Sequence, residues 1–220
     1  MRLLFYFFVC FFYHFLCEAT FFKKAKKSTH LLGGLGYTQV MFDRNAYNGF
    51  AGFTKVLYTL PVAQKQFFIG LGAKGETTIS YSQLSTGQES LYYYTAGHIG
   101  LDFGYQVSFL RRFLFLLSPY FYFPFYIEFV RETLVTGSYI QAYINPRLNF
   151  NYGLGASLLW KIPKIPIAGQ TYHVHVGPSV YYSWGYMSYA DYEDSVGGKY
   201  LGSAGDYVLY YYGLSIGLNF

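Results

Sequence analysis

The chain has 220 residues, of which 24% are aromatic and only 12% charged, and its formal net charge is +5. Soluble domains carry roughly 25% charged residues and helical membrane proteins carry long unbroken apolar runs; low charge with a mean hydropathy of only +0.18 fits neither. Four of the basic residues, Lys23, Lys24, Lys26 and Lys27, form a single run. The remaining basic residues nearly balance the acidic ones, which excludes the clustered basic face of a nucleic-acid binder.

The N-terminus reads as an export signal. Residues Leu3 to Leu16 are apolar except for His14, Arg2 supplies a positive start, and Cys17-Glu18-Ala19 places small residues where a signal peptidase requires them. Cleavage after Ala19 leaves residues 1–19 as signal peptide, 20–29 as a basic tail and 30–220 as one domain. Both cysteines, Cys10 and Cys17, leave with the signal, and a cysteine-free mature chain suits an oxidising compartment. Two other readings compete. Cys17 as a lipidation site is disfavoured by the bulky Leu16 before it. An uncleaved anchor is favoured by the lysine run, since positive charge after an apolar segment tends to stay cytoplasmic.

Downstream, apolar and polar residues alternate in segment after segment, the period of a β-strand with two unlike faces. A Gly-rich first strand spans His30 to Phe42, followed by a turn cluster at 43–49. The second strand runs from Phe50 to Leu60, with Lys55 opposite a face of Thr54, Val56, Tyr58 and Leu60. The third, Phe67 to Ser80, sets Phe67, Ile69, Leu71 and Ala73 against Phe68, Gly70, Gly72, Lys74 and Glu76. After a polar loop at 82–90, the fourth carries His98 and Asp102 on the face opposite Ile99, Leu101 and Phe103. Charges fall on that second face alone, which therefore points inward.

Phe113 to Val130 is the most apolar stretch of the mature chain, with Glu128 its only charge. Its length alone would suit a transmembrane helix, but Pro119 and Pro124 would break one, and its abundant Phe and Tyr favour a strand. The sixth strand alternates from Tyr139 to Leu158, with Asn145, Arg147, Asn149 and Asn151 on its polar face. That is about twice the ~10 residues a strand needs to cross a membrane, so this strand should project beyond the bilayer. After a Pro-stiffened turn at 161–166, a seventh strand sets Val174, Val176 and Val180 against His173, His175 and Ser179, and a polar loop follows at 187–205.

The eighth strand ends the chain: Val208, Tyr210, Tyr212, Leu214, Ile216, Leu218 and Phe220 alternate with Tyr211, Gly213, Ser215, Gly217 and Asn219. A terminal Phe preceded by hydrophobics at alternate positions resembles the closing strand of bacterial outer-membrane β-barrels. The eight-strand pattern resembles the small barrels of the OmpA transmembrane-domain and OmpX type. That resemblance implies an all-β fold, an eight-stranded antiparallel up-and-down transmembrane β-barrel, located in the bacterial outer membrane. It also implies lipid and lipopolysaccharide as surroundings. Phe220, Leu218 and Ile216 would then be an assembly signal read by the barrel-assembly machinery. An even strand count puts both chain ends on one side, with short turns there and longer loops, a candidate surface for an extracellular ligand, on the other.

Barrels of eight strands have interiors that side chains fill. Symmetric pairing of strands three and four about their loop places Lys74 opposite His98, with Glu76 one step away. With Asp102, Arg147, Asn149, His173 and His175 these form a candidate polar cluster plugging the lumen. His98 and Asp102 lie four residues apart, roughly 13 Å along a strand, too far for a catalytic dyad. His173 and His175 share a face but have neither cysteine nor carboxylate beside them, so no metal, cofactor or catalytic site is expected. The expected function is a non-enzymatic structural or surface-interaction barrel; alternatives are a narrow porin-like channel and, less favoured, a lipid A-modifying enzyme.

Overall fold

The computed structural model describes residues 29–42, 45–60, 66–83, 89–110, 112–133, 138–144, 150–163, 165–167, 170–194, 199–201 and 204–219. The expected signal peptide, nearly all of the basic tail, and Arg147, Asn149 and Phe220 lie outside them.

Eight staves close into an antiparallel barrel. In chain order they are β1 (Thr29–Phe42), β2 (Asn45–Thr59), β3 (Phe67–Gln83), β4 (Glu89–Phe109) and β5 (Phe113–Thr133), followed by a sixth stave described in two parts, β6 (Ser138–Ile144) and β7 (Phe150–Lys161). The seventh and eighth are β9 (Gln170–Asp194) and β11 (Ala204–Asn219), while β8 (Ile165–Ile167) and β10 (Lys199–Leu201) are short additions that pair with β9. Each stave pairs with its chain neighbours, and β1 pairs with β11 from His30↔Asn219 to Phe42↔Tyr207, which removes the free edges. Thr29 and Asn219 lie at the end where 59–67, 109–113 and 161–170 turn back; the opposite end carries the other four hairpins.

The sequence alternation is the barrel's inside–outside code. Every stave contributes exposed apolar residues to the outer surface: Leu35, Phe50, Leu71, Leu101, Phe123, Leu154, Val180 and Leu214 give one from each in turn. Aromatics edge this belt at both ends, with Tyr58, Phe67, Phe109 and Trp160 toward the short turns and Tyr37, Tyr81, Tyr126 and Trp184 toward the hairpins. The inward set is a core of Tyr, Phe and Leu interleaved with small and polar residues.

Two boundaries differ from the sequence expectation. Residues Asn45 to Gly49 belong to β2, because the β1 register continues unbroken to Phe42↔Asn45. The segment expected as a loop at 187–205 is largely strand, since β9 continues to Asp194 and is capped by β10 through Tyr200↔Tyr192. Phe113–Thr133 is a strand, as expected, and a bulge accommodates one of its prolines. Between Gly97 and His98 the β4–β5 register shifts, so that Gly97 faces Tyr126 while His98 faces Pro124, with Phe125 the extra residue. A proline lacks the donor a regular ladder needs, and a bulge is where that lack is tolerated. Staves β4, β5 and β9, at 21, 21 and 25 residues, are about twice as long as a crossing needs.

Candidate functional site

One level of the barrel interior is built around a side chain that the sequence reading left aside, Lys55. On β2, Ala51, Phe53, Lys55 and Leu57 point inward and are buried. The Lys55 ammonium donates to Asp102 Oδ1 of β4, and both side chains are almost wholly buried. The same carboxylate accepts from Ser118 Oγ at 2.8 Å and from the Tyr122 hydroxyl at 2.6 Å. Four ring centroids surround the ammonium: Tyr181 at 4.4 Å, Tyr120 at 5.2 Å, Phe53 at 5.5 Å and Tyr122 at 5.8 Å. A cation so placed draws on ring quadrupoles as well as on its carboxylate.

The collar of rings is itself packed edge to face. Phe53 and Tyr181 lie 4.9 Å apart at 66°, and Tyr181 and Tyr211 5.3 Å apart at 62°. Small residues on β3 and on the β7–β9–β11 wall make room for it. A Cβ at Gly72 would lie 2.6 Å from Asp102 Oδ2 and overlap the Tyr122 hydroxyl. On the far wall Ser179 hydrogen-bonds both Ser157 and Ser215 at 2.6 Å, and the Tyr120 hydroxyl meets Ser183 Oγ. Salt bridge, rings and serine ladder are all buried at this level.

Two residues further along β3, toward the hairpin end, lies a second polar level. Lys74 pairs with His98 across the β3–β4 ladder. The Lys74 ammonium lies 3.3 Å from Glu76 Oε2, His98 Nδ1 lies 3.9 Å from Glu76 Oε1, and the Tyr94 hydroxyl donates to Oε1 at 3.3 Å. Asn151 Nδ2 donates to the Tyr207 hydroxyl at 2.9 Å. This level is looser than the first. Lys74 Nζ, Glu76 Oε2, Thr78 Oγ1, both His98 nitrogens and Asn151 Oδ1 are buried without a directed hydrogen bond from the described residues. Polar atoms in that condition are where ordered water resides in protein interiors.

The residues singled out in the sequence thus divide. Lys74, Glu76 and His98 meet at the upper level, whereas Asp102 belongs to the lower one. His175 sits inside near the short-turn end, opposite Gly217 of β11 and Lys161 of β7; His173 pairs with Asn219. Neither His173 nor His175 joins the Lys74 level. Ile216 faces outward, 57% exposed, and Leu218 pairs with Leu31 of β1. Among the described residues no group of three His, Cys, Asp or Glu side chains is placed to hold a metal. Lys55 carried a readable signal, being the lone charge in a strand of apolar and small residues at the parity of Phe53 and Leu57.

No protein-family model matches the chain, and no curated protein matches it either. Solved structures of similar shape include Neisserial surface protein A, with a TM-score of 0.45 and 10% identity over 87% of this chain and 97% of that one. A major outer membrane protein from Thermus thermophilus gives 0.45 and 15% identity over 86% and 99%. Ail, the attachment invasion locus protein of Yersinia pestis, gives 0.38 and 12% over 88% and 99%. The barrel described above stands on the chain's own strand pairings.

Proposed function

We propose that the chain is an integral β-barrel protein of the bacterial outer membrane, with a closed lumen and a structural or surface-interaction role carried by its hairpin end. The apolar belt carries this reading. Apolar patches larger than a few hundred Å² signal a partner or a membrane, and this one continues around all eight staves with aromatic edges at both ends. A one-sided protein partner would leave most of it in water, whereas lipid covers a ring evenly. The test is electrophoretic mobility of the membrane-fraction protein with and without boiling, joined to flotation with lipid vesicles. A fast unboiled band that slows on boiling, from protein that floats, is expected. An unshifted band from protein that stays with the soluble fraction overturns the proposal.

The Lys55–Asp102 level supports a lumen that passes no steady current, so wild-type protein in planar bilayers should be silent. A narrow channel for ions or small polar solutes is the second reading, favoured by the unpartnered polar atoms around Glu76 and His98; steady unitary currents from wild type would establish it instead. A non-enzymatic role is supported by the lumen hydroxyls, since Ser179 bonds both Ser157 and Ser215 and Ser118 bonds Asp102. A changed lipid A profile on expression would refute it. The partners that follow are lipopolysaccharide around the belt, the barrel-assembly machinery reading Ile216, Leu218 and Phe220, and an extracellular ligand at the hairpins.

A further inference from the structure

At the short-turn end, on the outer surface, Phe109, Phe113 and Trp160 stack face to face in a row. The first two centroids lie 5.4 Å apart at 13°, and the last two 6.3 Å apart at 21°. The turn joining β4 to β5 places Arg112 beside this row, after Leu110 in the left-handed region at φ 49°. Two backbone bonds hold the end of β7 against its neighbours: Lys161 N donates to Arg112 O at 2.7 Å, and Ile162 N donates to Val174 O at 2.8 Å. The two cationic residues are thereby fixed together at the rim.

Between them opens a pocket lined by Arg112, Lys161, His173, Trp160, Pro163 and Val176 among others. Its cationic donors are a guanidinium and an ammonium, and among the described residues its lining contains no carboxylate. Among the described residues neither Arg112 nor Lys161 takes part in a salt bridge. Its apolar wall, Trp160 and Val176, is continuous with the belt, and Trp160 remains 55% exposed. A ligand filling such a site needs an anionic head that accepts from a planar fork and a point charge, attached to an apolar body that runs down the belt.

We propose that this pocket binds the phosphate of an anionic phospholipid from the leaflet on the short-turn side. The inference rests on the membrane-spanning reading above, because only then is Trp160 at the depth of lipid headgroups. Basic side chains at a membrane surface attract acidic lipids in proportion to their number, and here two are held at one aromatic anchor.

Fluorescence offers a direct test, because Trp160 and Trp184 are the chain's two tryptophans. The full chain with Trp184→Phe, which leaves Trp160 as the sole indole, is reconstituted into phosphatidylcholine vesicles. These contain a minor fraction of dibromo-acyl phosphatidylglycerol or, in parallel, of dibromo-acyl phosphatidylcholine. The expected result is stronger quenching by the brominated phosphatidylglycerol, with its apparent affinity falling roughly 10- to 30-fold in the Arg112→Gln/Lys161→Gln variant and unaffected by millimolar inorganic phosphate. Equal quenching by the two lipids in protein that has inserted overturns the lipid site while leaving the barrel reading intact. Displacement by inorganic phosphate would make it a free-phosphate site and overturn the lipid assignment. Protein that does not enter vesicles at all refutes the membrane reading itself.

Discussion

The Lys55–Asp102 pair makes the most demanding prediction, because its two halves should fail unequally alone and compensate together. Both groups are buried, and removing one partner of a buried ion pair costs about 3–5 kcal/mol. Lys55→Met leaves the Asp102 carboxylate with two hydrogen bonds, from Ser118 and Tyr122, so its cost should lie near ~3 kcal/mol. Asp102→Leu is worse, since the ammonium keeps only ring faces, worth about 0.5–2 kcal/mol. It also strips Ser118 and Tyr122 of their acceptor, at about 1–3 kcal/mol for each buried hydroxyl left unpaired; a total of ~5 kcal/mol or more is expected. The double variant removes both charges but still leaves Ser118 and Tyr122 without their acceptor, so it should recover the cost of the unpaired charge and lose clearly less than the two single variants added together. Equilibrium unfolding in urea, with the four proteins folded into the same lipid vesicles, measures the cycle. If the two single costs simply add in the double variant, the side chains do not act as a unit and the ion-pair reading is refuted.

Other outcomes follow from the same geometry. Gly72→Ala should destabilise by about 1–3 kcal/mol in the same unfolding assay, because a methyl there displaces Tyr122 from Asp102; an unchanged midpoint would mean that the Tyr122 contact is dispensable. Leu214→Arg, at the centre of the exposed run of Tyr212, Leu214 and Ile216, should cost about 2–4 kcal/mol in vesicles, and a neutral result would place that residue out of the lipid. Tyr207→Phe should cost ~1–3 kcal/mol by leaving Asn151 unpaired, and Asn151→Leu in the same protein should restore most of it. A high-resolution crystal structure should show ordered water within hydrogen-bond distance of Lys74 Nζ, Glu76 Oε2 and His98; a dry, collapsed level there would contradict the partner argument.

The staves could be read in the sequence because their signal is local. Alternation with period two is imposed by the strand itself, and a barrel with lipid-like demands outside and a filled lumen inside makes every strand obey it. The Lys74↔His98 pairing could be read for a related reason: a hairpin that folds symmetrically about its loop fixes its own register. The Lys55–Asp102 contact could not. The two residues sit on second-neighbour strands, β2 and β4, and the strand between them presents Gly70 and Gly72 at that level. Glycine removes the side chain that would have kept them apart, and two glycines give no indication of which residues will meet above them. The hairpin lengths were underestimated because Ser, Asp, Gly and Tyr at 187–201 read as loop residues, whereas β9 and β10 supply each other with ladder partners there.

The β4–β5 bulge joins the fold to the charge of the lumen. Up to Pro124 the even-numbered residues of β5 point inward, as buried Leu114, Leu116, Ser118, Tyr120 and Tyr122 show. The extra residue at Phe125 reverses that parity, so Phe125 and Tyr126 are both exposed and Ile127 turns toward the core. Glu128 consequently points outward and accepts from the Tyr126 hydroxyl at 2.6 Å. Had β5 kept one parity, its carboxylate would have entered the lumen, making three acids, with Glu76 and Asp102, against the two ammonium groups of Lys55 and Lys74. A buried unpaired charge of that kind costs several kcal/mol. The bulge thus leaves the buried acids and amines of the described lumen balanced at two and two, and places proline where its missing donor is harmless.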